Sequence, residues 1–350
     1  MIELGSVEGW DGAGIVTRRD AESGATILIA LHSEKLGPSS GGTRMAVYPD
    51  TDAARRDALR LAEGMTYKWA AAGFPRGGGK GVLAVPADLD AGARRDLLGR
   101  YGSLIQELAG RFWTGADVGT SAEDMDVIAE TGAPYVFSRT PARGGAGGSG
   151  TWTAMGVFAA METVCEKLWG EASVRGRRVL VQGTGSVGGP LIEKLLASGA
   201  IVFFSDVSPA AVQRFEGRGL TLVPLDAVFE TPCDVFAPCA LGGVLNEETI
   251  PRLLCRAVVG AANNQLEFSE DAARLRDRGI LYAPDFVVNA GGAVAITGQE
   301  ALGWSAERAT REVLNIGQTL ERVLTISETL GVSTDAAARR LAEERLTAGR

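Results

Sequence analysis

Gly183-Thr184-Gly185-Ser186-Val187-Gly188 follows the apolar run Val179-Leu180-Val181 and precedes a segment with helical periodicity. The first glycine of such a run permits a tight turn. The second lets backbone approach a pyrophosphate, and the third lets helix and strand pack closely. Strand, turn and helix in that order aim a helix N-terminus at phosphate charge. Asp206 closes the next apolar run, where a carboxylate accepts both ribose hydroxyls and repels a 2′-phosphate. No Arg or Lys follows it until Arg214. The segment predicts a dinucleotide site that favours NAD over NADP. The competing reading is a glycine-rich turn that binds something else.

The surrounding pattern agrees with a doubly wound sheet. After Arg175, short apolar runs alternate with helical segments: Val179–Val181, Ile201–Phe204, Leu220–Val223, Val235–Ala237, Ala257–Val259 and Ile280–Tyr282. Before that point the chain predicts a strand at Ala25–Leu31, a helix from Asp52 to Ala72, a short strand at Val82–Val85, and a helix from Leu89 to Ala109 capped by Asp88. The glycine-rich stretch 143–150 reads as a hinge. A length of 350 residues suits two domains better than one core. The expected fold class is α/β with two domains. One is a Rossmann NAD-binding domain, 136–327. The other is an α/β substrate and oligomerisation domain, 1–135 with 328–350, and a cleft separates them.

Composition removes several function classes. A net charge of −8 argues against a nucleic-acid or anionic-membrane partner. The four cysteines are scattered without a CxxC pair, which predicts neither a metal site nor a disulfide framework. No apolar run approaches the roughly 18 residues of a membrane span. No signal peptide is visible at the N-terminus, so a cytoplasmic location is expected. The sole histidine, His32, ends an apolar strand and reads as a satisfied structural residue. A 2-hydroxy-acid dehydrogenase, which needs a histidine base, is correspondingly disfavoured.

A second glycine run, Gly77-Gly78-Gly79-Lys80, lacks P-loop spacing but holds a cation where backbone can crowd a ligand. A lysine buried near another cation loses proton affinity and can act as a base near neutral pH. Lys68 and Lys80 can divide such work, one holding a carboxylate and the other activating water. Asp117 offers a carboxylate for proton relay. On composition alone, two solvated lysines and a loop aspartate are an equal alternative.

Gly41-Gly42-Thr43-Arg44-Met45, Gly64-Met65-Thr66-Tyr67-Lys68, Gly77-Gly78-Gly79-Lys80 and the run Thr114 to Thr120 resemble the glutamate/leucine/phenylalanine/valine dehydrogenases. So do the runs Ala237 to Gly243, Gly260 to Asn264 and Ala283 to Gly292. The resemblance spans nearly the whole chain in order. It implies NAD-dependent, reversible oxidative deamination of an L-amino acid to a 2-oxo acid and ammonia, in a homo-oligomer. It implies that Lys68 binds the substrate carboxylate beside Gly41 and Gly42, that Lys80 is the general base, and that Asp117 carries protons. Asn263 then contacts the nicotinamide ribose or the substrate, and Thr153 the carboxamide. Ser186, Val187, Ala240 and Asn289 complete the expected cofactor set with Gly183, Gly185, Gly188 and Asp206.

Within the family, Ser40, Gly115 and Ala293 fall at positions that set pocket size. Three small residues predict a roomy pocket in which an aromatic ring buries well and leucine leaves a void. The expectation is a phenylalanine dehydrogenase, with leucine/valine and tryptophan dehydrogenases as alternatives. Arg76, where the family has Leu or Met, is expected to face solvent or a surface ion pair; the alternative is that it points into the pocket, favours an anionic or hydrogen-bonding side chain and weakens the aromatic reading. Arg44 is expected to brace the Gly41-Gly42 turn, with a role in holding substrate as the alternative. Cys239 is expected to be a packing thiol. A non-catalytic NAD-sensing protein on the same fold is the rival from another class; intact Lys68, Lys80 and Asp117 argue against it.

Overall fold

Thr26–Ser33 is buried along nearly its whole length, the pattern of a strand covered on both faces. In the computed structural model, which describes residues 4–349, it is β2 of a five-stranded mixed sheet. The sheet comprises β1 (Gly14–Arg19), β2, β3 (Ser39–Ala46), β4 (Gly77–Ala84) and β5 (Phe112–Ala116), in the order β1-β2-β4-β3-β5. β1 and β4 run antiparallel to β2, while β3 runs parallel to β4 and β5. These strands belong to one compact unit, 1–148 with 296–305 and 342–350.

Helix α1 (Thr51–Ala72) covers one face of this sheet through the row Ala54, Ala58, Ala62, against Leu28, Ala30 and Val82. Small residues every fourth position let the helix lie close. α2 (Ala91–Glu107) and α3 (Ala122–Gly132) cover the other face, where Leu97, Tyr101, Leu104, Met125 and Ile128 meet Ile27, Ile29, Leu83 and Phe112. α2 begins later than its sequence suggests. Asp90, not Asp88, caps it by accepting from Gly92 N (2.8 Å) and Ala93 N (2.9 Å).

The glycine run 77–81 is itself strand, so β4 starts well before the expected Val82–Val85. Its glycines serve close approach. A Cβ at Gly78 would lie 2.6 Å from Ala62 O on α1 and closer still to Thr66, and one at Gly81 would strike the Tyr101 hydroxyl.

The second unit, 149–295 with 306–341, holds six parallel strands. They are β6 (Arg178–Gln182), β7 (Ile201–Ser205), β8 (Thr221–Leu222), β9 (Val235–Pro238), β10 (Ala257–Val258) and β11 (Leu281–Tyr282). Their order is β11-β10-β9-β6-β7-β8, so the winding reverses beside β6. Its helices include α4 (Gly150–Trp169), α5 (Gly188–Ala197) and α6 (Pro209–Gln213). Further along come α7 (Asp271–Asp277), α8 (Asp285–Val288) and α10 (Ala306–Leu330), with α9 (Gly291–Leu302) and α11 (Thr334–Ala348) completing the chain order. This is the doubly wound Rossmann architecture, whose ligands bind where the strand order reverses. No helix among the described residues is long and apolar enough to cross a membrane.

Candidate functional site

In the first unit, Lys80 sits on β4 and Asp117 on the loop after β5, brought together because β3 pairs with both strands. Lys80 Nζ lies 3.0 Å from Asp117 Oδ2, with the lysine side chain 6% exposed and the aspartate 21%. Burial pulls the Lys80 ammonium below the ordinary lysine range, and the attraction of Asp117 opposes it without overcoming it. Asp117 lies below the usual carboxylate range: burial raises it, but the charges of Lys80 and Arg44 outweigh burial. A buried lysine with reduced proton affinity beside a carboxylate is the arrangement general acid–base chemistry uses. Asp117 is fixed by its own backbone, since its N–H donates to Thr120 Oγ1 (3.0 Å), which in turn donates to Thr43 O (2.8 Å).

Gly42 stands against this pair; a Cβ there would lie 2.8 Å from Asp117 Cβ and 3.4 Å from Lys80 Nζ. Gly41 is buried, with Met65 of α1 3.1 Å from the place of its missing Cβ. Lys68, near the end of α1, is half-buried. Ser40 is fully buried; its carbonyl accepts from Trp69 Nε1 at 2.9 Å, and its hydroxyl has no partner.

Gly115 departs from expectation. A Cβ there would lie 2.6 Å from Phe137 Cδ2 and 2.7 Å from Ser138 Oγ. The room this glycine leaves is taken by the Phe137 ring, so it adds nothing to a ligand pocket. Arg76 departs too. It is 6% exposed, its guanidinium lies 4.6 Å from the Trp113 ring centroid, and its Nε has no acceptor. No carboxylate pairs with it among the described residues, and burial lowers its proton affinity. The residue is buried rather than solvent-facing, and the surface ion pair is absent among the described residues.

Arg44 does more than brace a turn. Its Nε donates to Asp117 Oδ2 (3.1 Å) and its NH1 to Asp57 Oδ2 (2.9 Å). Asp57 also accepts from Tyr48 OH (2.7 Å) and Arg60 NH2 (2.9 Å). Sequence reasoning missed Asp57 and Tyr48, because nothing local distinguishes them from surface residues of a helix and a loop. His32 is satisfied, with ring nitrogens 2.9 Å from Thr66 Oγ1 and 3.0 Å from Asp11 Oδ1.

In the second unit, Gly183 has φ +89°, a conformation few side chains tolerate, and its missing Cβ would lie 2.8 Å from that of Ala240. Gly185 has open space where a Cβ would stand, and Gly188 abuts the Gly183 carbonyl. Ser186 is exposed. Val187 precedes α5 without capping it, which leaves that helix N-terminus free for an anion. Asp206 Oδ2 accepts from Thr184 N (2.6 Å) and Thr184 Oγ1 (3.0 Å), and its Oδ1 from Ser208 N (2.8 Å). Burial opposes the ionised form of Asp206, but these hydrogen bonds prevail and hold it below the usual range. Arg214, distant in sequence, donates to the Thr184 carbonyl, so Thr184 is gripped from both sides.

Asn289 Nδ2 donates to Asn263 Oδ1 (2.8 Å) and Ala261 O (3.1 Å), which brings two of the expected residues together. Thr153 is buried near the start of α4, and a Cβ at Gly292 would lie 2.5 Å from its hydroxyl. Ala293 is half-buried on α9. Burial pushes the Cys239 thiol up to about 12, which makes it a packing residue rather than a nucleophile. An open glycine turn, an uncapped helix N-terminus and an ionised carboxylate at the next strand end together fit NAD.

Two family models match the chain. One, "Glu/Leu/Phe/Val dehydrogenase, dimerisation domain", covers residues 17–133, and the other, "Glutamate/Leucine/Phenylalanine/Valine dehydrogenase", covers 144–217 and 208–348. The chain is 41% identical to leucine dehydrogenase of Bacillus subtilis over 97% of its length and 93% of that protein. It is 42% identical to valine dehydrogenase of Streptomyces albus, over 96% of the chain and 92% of that protein. Among solved structures, L-tryptophan dehydrogenase from Nostoc punctiforme matches with a TM-score of 0.82 at 37% identity, covering 97% of this chain and 96% of that one. These relatives overturn the expected likeness to the phenylalanine branch. Gly115 gives that expectation no structural support, since the Phe137 ring occupies the place a side chain there would take.

Proposed function

This chain belongs to the glutamate/leucine/phenylalanine/valine dehydrogenase family and is an NAD-dependent amino-acid dehydrogenase, and from that premise we propose that its substrate is a branched-chain L-amino acid, leucine or valine. The observation that carries this reading is the identity of its similar relatives over nearly the whole chain. The Phe137 ring beside Gly115 removes one of the three small positions on which the aromatic expectation rested.

NAD, when bound, supplies the hydride acceptor. In this reading Lys68 holds the substrate carboxylate, and the Gly41-Gly42 backbone lies beside it. Lys80 in its neutral form takes a proton from the water that adds to the oxidised carbon. Asp117 moves protons on and off the departing nitrogen, and a 2-oxo acid and ammonia leave. Asn263, Asn289, Thr153 and Ala240 line the nicotinamide end, and Asp206 holds the adenosine ribose. The low proton affinity of Lys80 sets the pH response: deamination speeds up as Lys80 loses its proton and levels off below the ordinary lysine range.

The test is NADH formation from a panel of L-amino acids: Leu, Val, Ile, Phe, Trp and Glu. Leucine or valine is expected to exceed phenylalanine and glutamate in kcat/KM by about tenfold or more. A preference for tryptophan or glutamate refutes the branched-chain reading. Lys80→Ala is expected to abolish turnover while NADH still binds; retained turnover refutes Lys80 as the base.

A further inference from the structure

Two cations converge on one oxygen of Asp117. Lys80 Nζ is 3.0 Å and Arg44 Nε 3.1 Å from Oδ2. No described residue donates a hydrogen bond to Oδ1, and that atom is not closed off from solvent. The carboxylate is therefore asymmetric, with one oxygen anchored and the other open. We propose that Arg44 is a positioning residue for proton transfer: it shares Oδ2 of Asp117 with Lys80, so that Oδ1 is the oxygen presented to the substrate nitrogen. The inference rests on the assignment of Lys80 and Asp117 given above.

Arg44 is held in this role from its far end. Its NH1 donates to Asp57 Oδ2 (2.9 Å), and Tyr48 OH (2.7 Å) and Arg60 NH2 (2.9 Å) fix Asp57 in turn. Arg44 and Asp57 are 22% and 15% exposed, so the bridge is partly shielded from solvent. It joins three elements, namely β3, the start of α1 and the loop after β5. A planar guanidinium spans two carboxylates with fixed geometry, which a lysine ammonium cannot reproduce. Among the described residues Arg44 and Lys80 reach the Asp117 carboxylate, so loss of Arg44 lets both oxygens turn onto Lys80. That rotation would withdraw the open oxygen and leave Lys80 more tightly protonated.

The charged groups acting on Lys80 come from each element around it: Asp117 beyond β5, Arg44 on β3 and Asp57 on α1. α1 also carries Lys68 further along. Arg44 disfavours the protonated form of Lys80, and Asp57 favours it. Removing each therefore moves the pH profile in opposite directions, which a purely structural role does not predict.

The experiment measures kcat and KM for the amino acid against pH in the full-length enzyme and in Arg44→Met, Arg44→Lys, Asp57→Asn and Lys80→Ala, with NADH binding as the folding control. Arg44→Met is expected to lower kcat about 100-fold and to change KM little. It should also move the ascending limb, which reports Lys80, up by about one pH unit, because the neighbouring positive charge is gone. Arg44→Lys returns the limb to its original place and recovers only part of kcat. Asp57→Asn moves the limb down, and it stands as the independent variant should Arg44→Met fail to bind NADH. A raised KM at unchanged kcat would make Arg44 a substrate ligand and overturn the proposal, as would unmoved limbs in both Arg44→Met and Asp57→Asn. If Lys80→Ala itself remains active, the underlying assignment fails; if Lys80→Ala is dead and the limbs stay put, the Arg44 proposal alone fails.

Discussion

Gly115→Ala isolates the premise on which the pocket's size depends. The added Cβ would stand 2.6 Å from Phe137 Cδ2 and 2.7 Å from Ser138 Oγ, with Phe137 Cε2 nearer still. Carbon atoms pack without strain at about 3.5–4.0 Å, so the ring must retreat by roughly 1 Å. It has little freedom to do so. Phe137 is 6% exposed. Its backbone is tied to β5 by Phe137 N–H to Thr114 O (2.8 Å) and Thr114 N–H to Tyr135 O (3.0 Å). Overpacking of this kind costs about 1–3 kcal/mol. For a folding unit of this size that lowers Tm by about 3–9 °C. Differential scanning calorimetry and kcat/KM for leucine and phenylalanine would be measured on the same samples. The expected result is a lower Tm with the ratio of the two substrates changed by less than about threefold. Phe137→Leu in the Gly115→Ala background should then recover most of the stability, since the two sites are in contact. An unchanged Tm together with selective loss of the larger substrate would refute the reasoning, because it would mean that Gly115 opens onto the substrate.

Other perturbations probe separate parts of the molecule. Asp206→Ala should weaken NADH binding by about 10–100-fold, since a charged hydrogen-bond partner of the turn and the ribose is lost; an unchanged Kd by fluorescence titration rejects that role. Asp20 is 7% exposed, pairs with Arg100, and is held at about 2 rather than 3.8, chiefly by the Arg100 hydrogen bonds. A depressed carboxylate contributes stability above its unfolded pKa and loses it as pH falls from 3.8 toward about 2. Asp20→Asn should therefore cost about 2 kcal/mol at neutral pH and almost nothing at the acid end, and equal losses at both pH extremes in urea titrations would contradict the linkage. Arg76→Leu removes a buried guanidinium that lacks a carboxylate partner. Relief of its desolvation outweighs the stacking on Trp113, so Tm should rise, by an amount corresponding to about 1–2 kcal/mol; a fall in Tm would show that the charge is satisfied.

The dinucleotide site was legible because its requirements are local. The turn needs Gly183, Gly185 leaves open space beside it, and the carboxylate of Asp206 follows at the end of the next strand and bonds back to Thr184. Apolar runs spaced by helical segments likewise pointed to the parallel sheet, and the glycine turn with Asp206 to NAD as the cofactor. The first unit was legible in parts: α1 starts and ends almost where its periodicity places it, and Lys80 and Asp117 do meet. What sequence alone could not decide were contacts between residues far apart in the chain. Whether Gly115 is empty space depends on Phe137, which reaches it only because the segment after α3 returns to pair with β5. Whether Arg76 faces solvent depends on Trp113, carried by a strand that lies beyond β3 in the sheet order. Arg44 gains its place beside Asp117 from β3–β5 pairing, and its tether from Asp57 on the covering helix. Local pattern sets which residues can turn, cap or alternate, because those preferences act within a few residues. Which side chain fills a vacancy or shares a charge is set by strand order and helix packing, and these exist only in the folded chain.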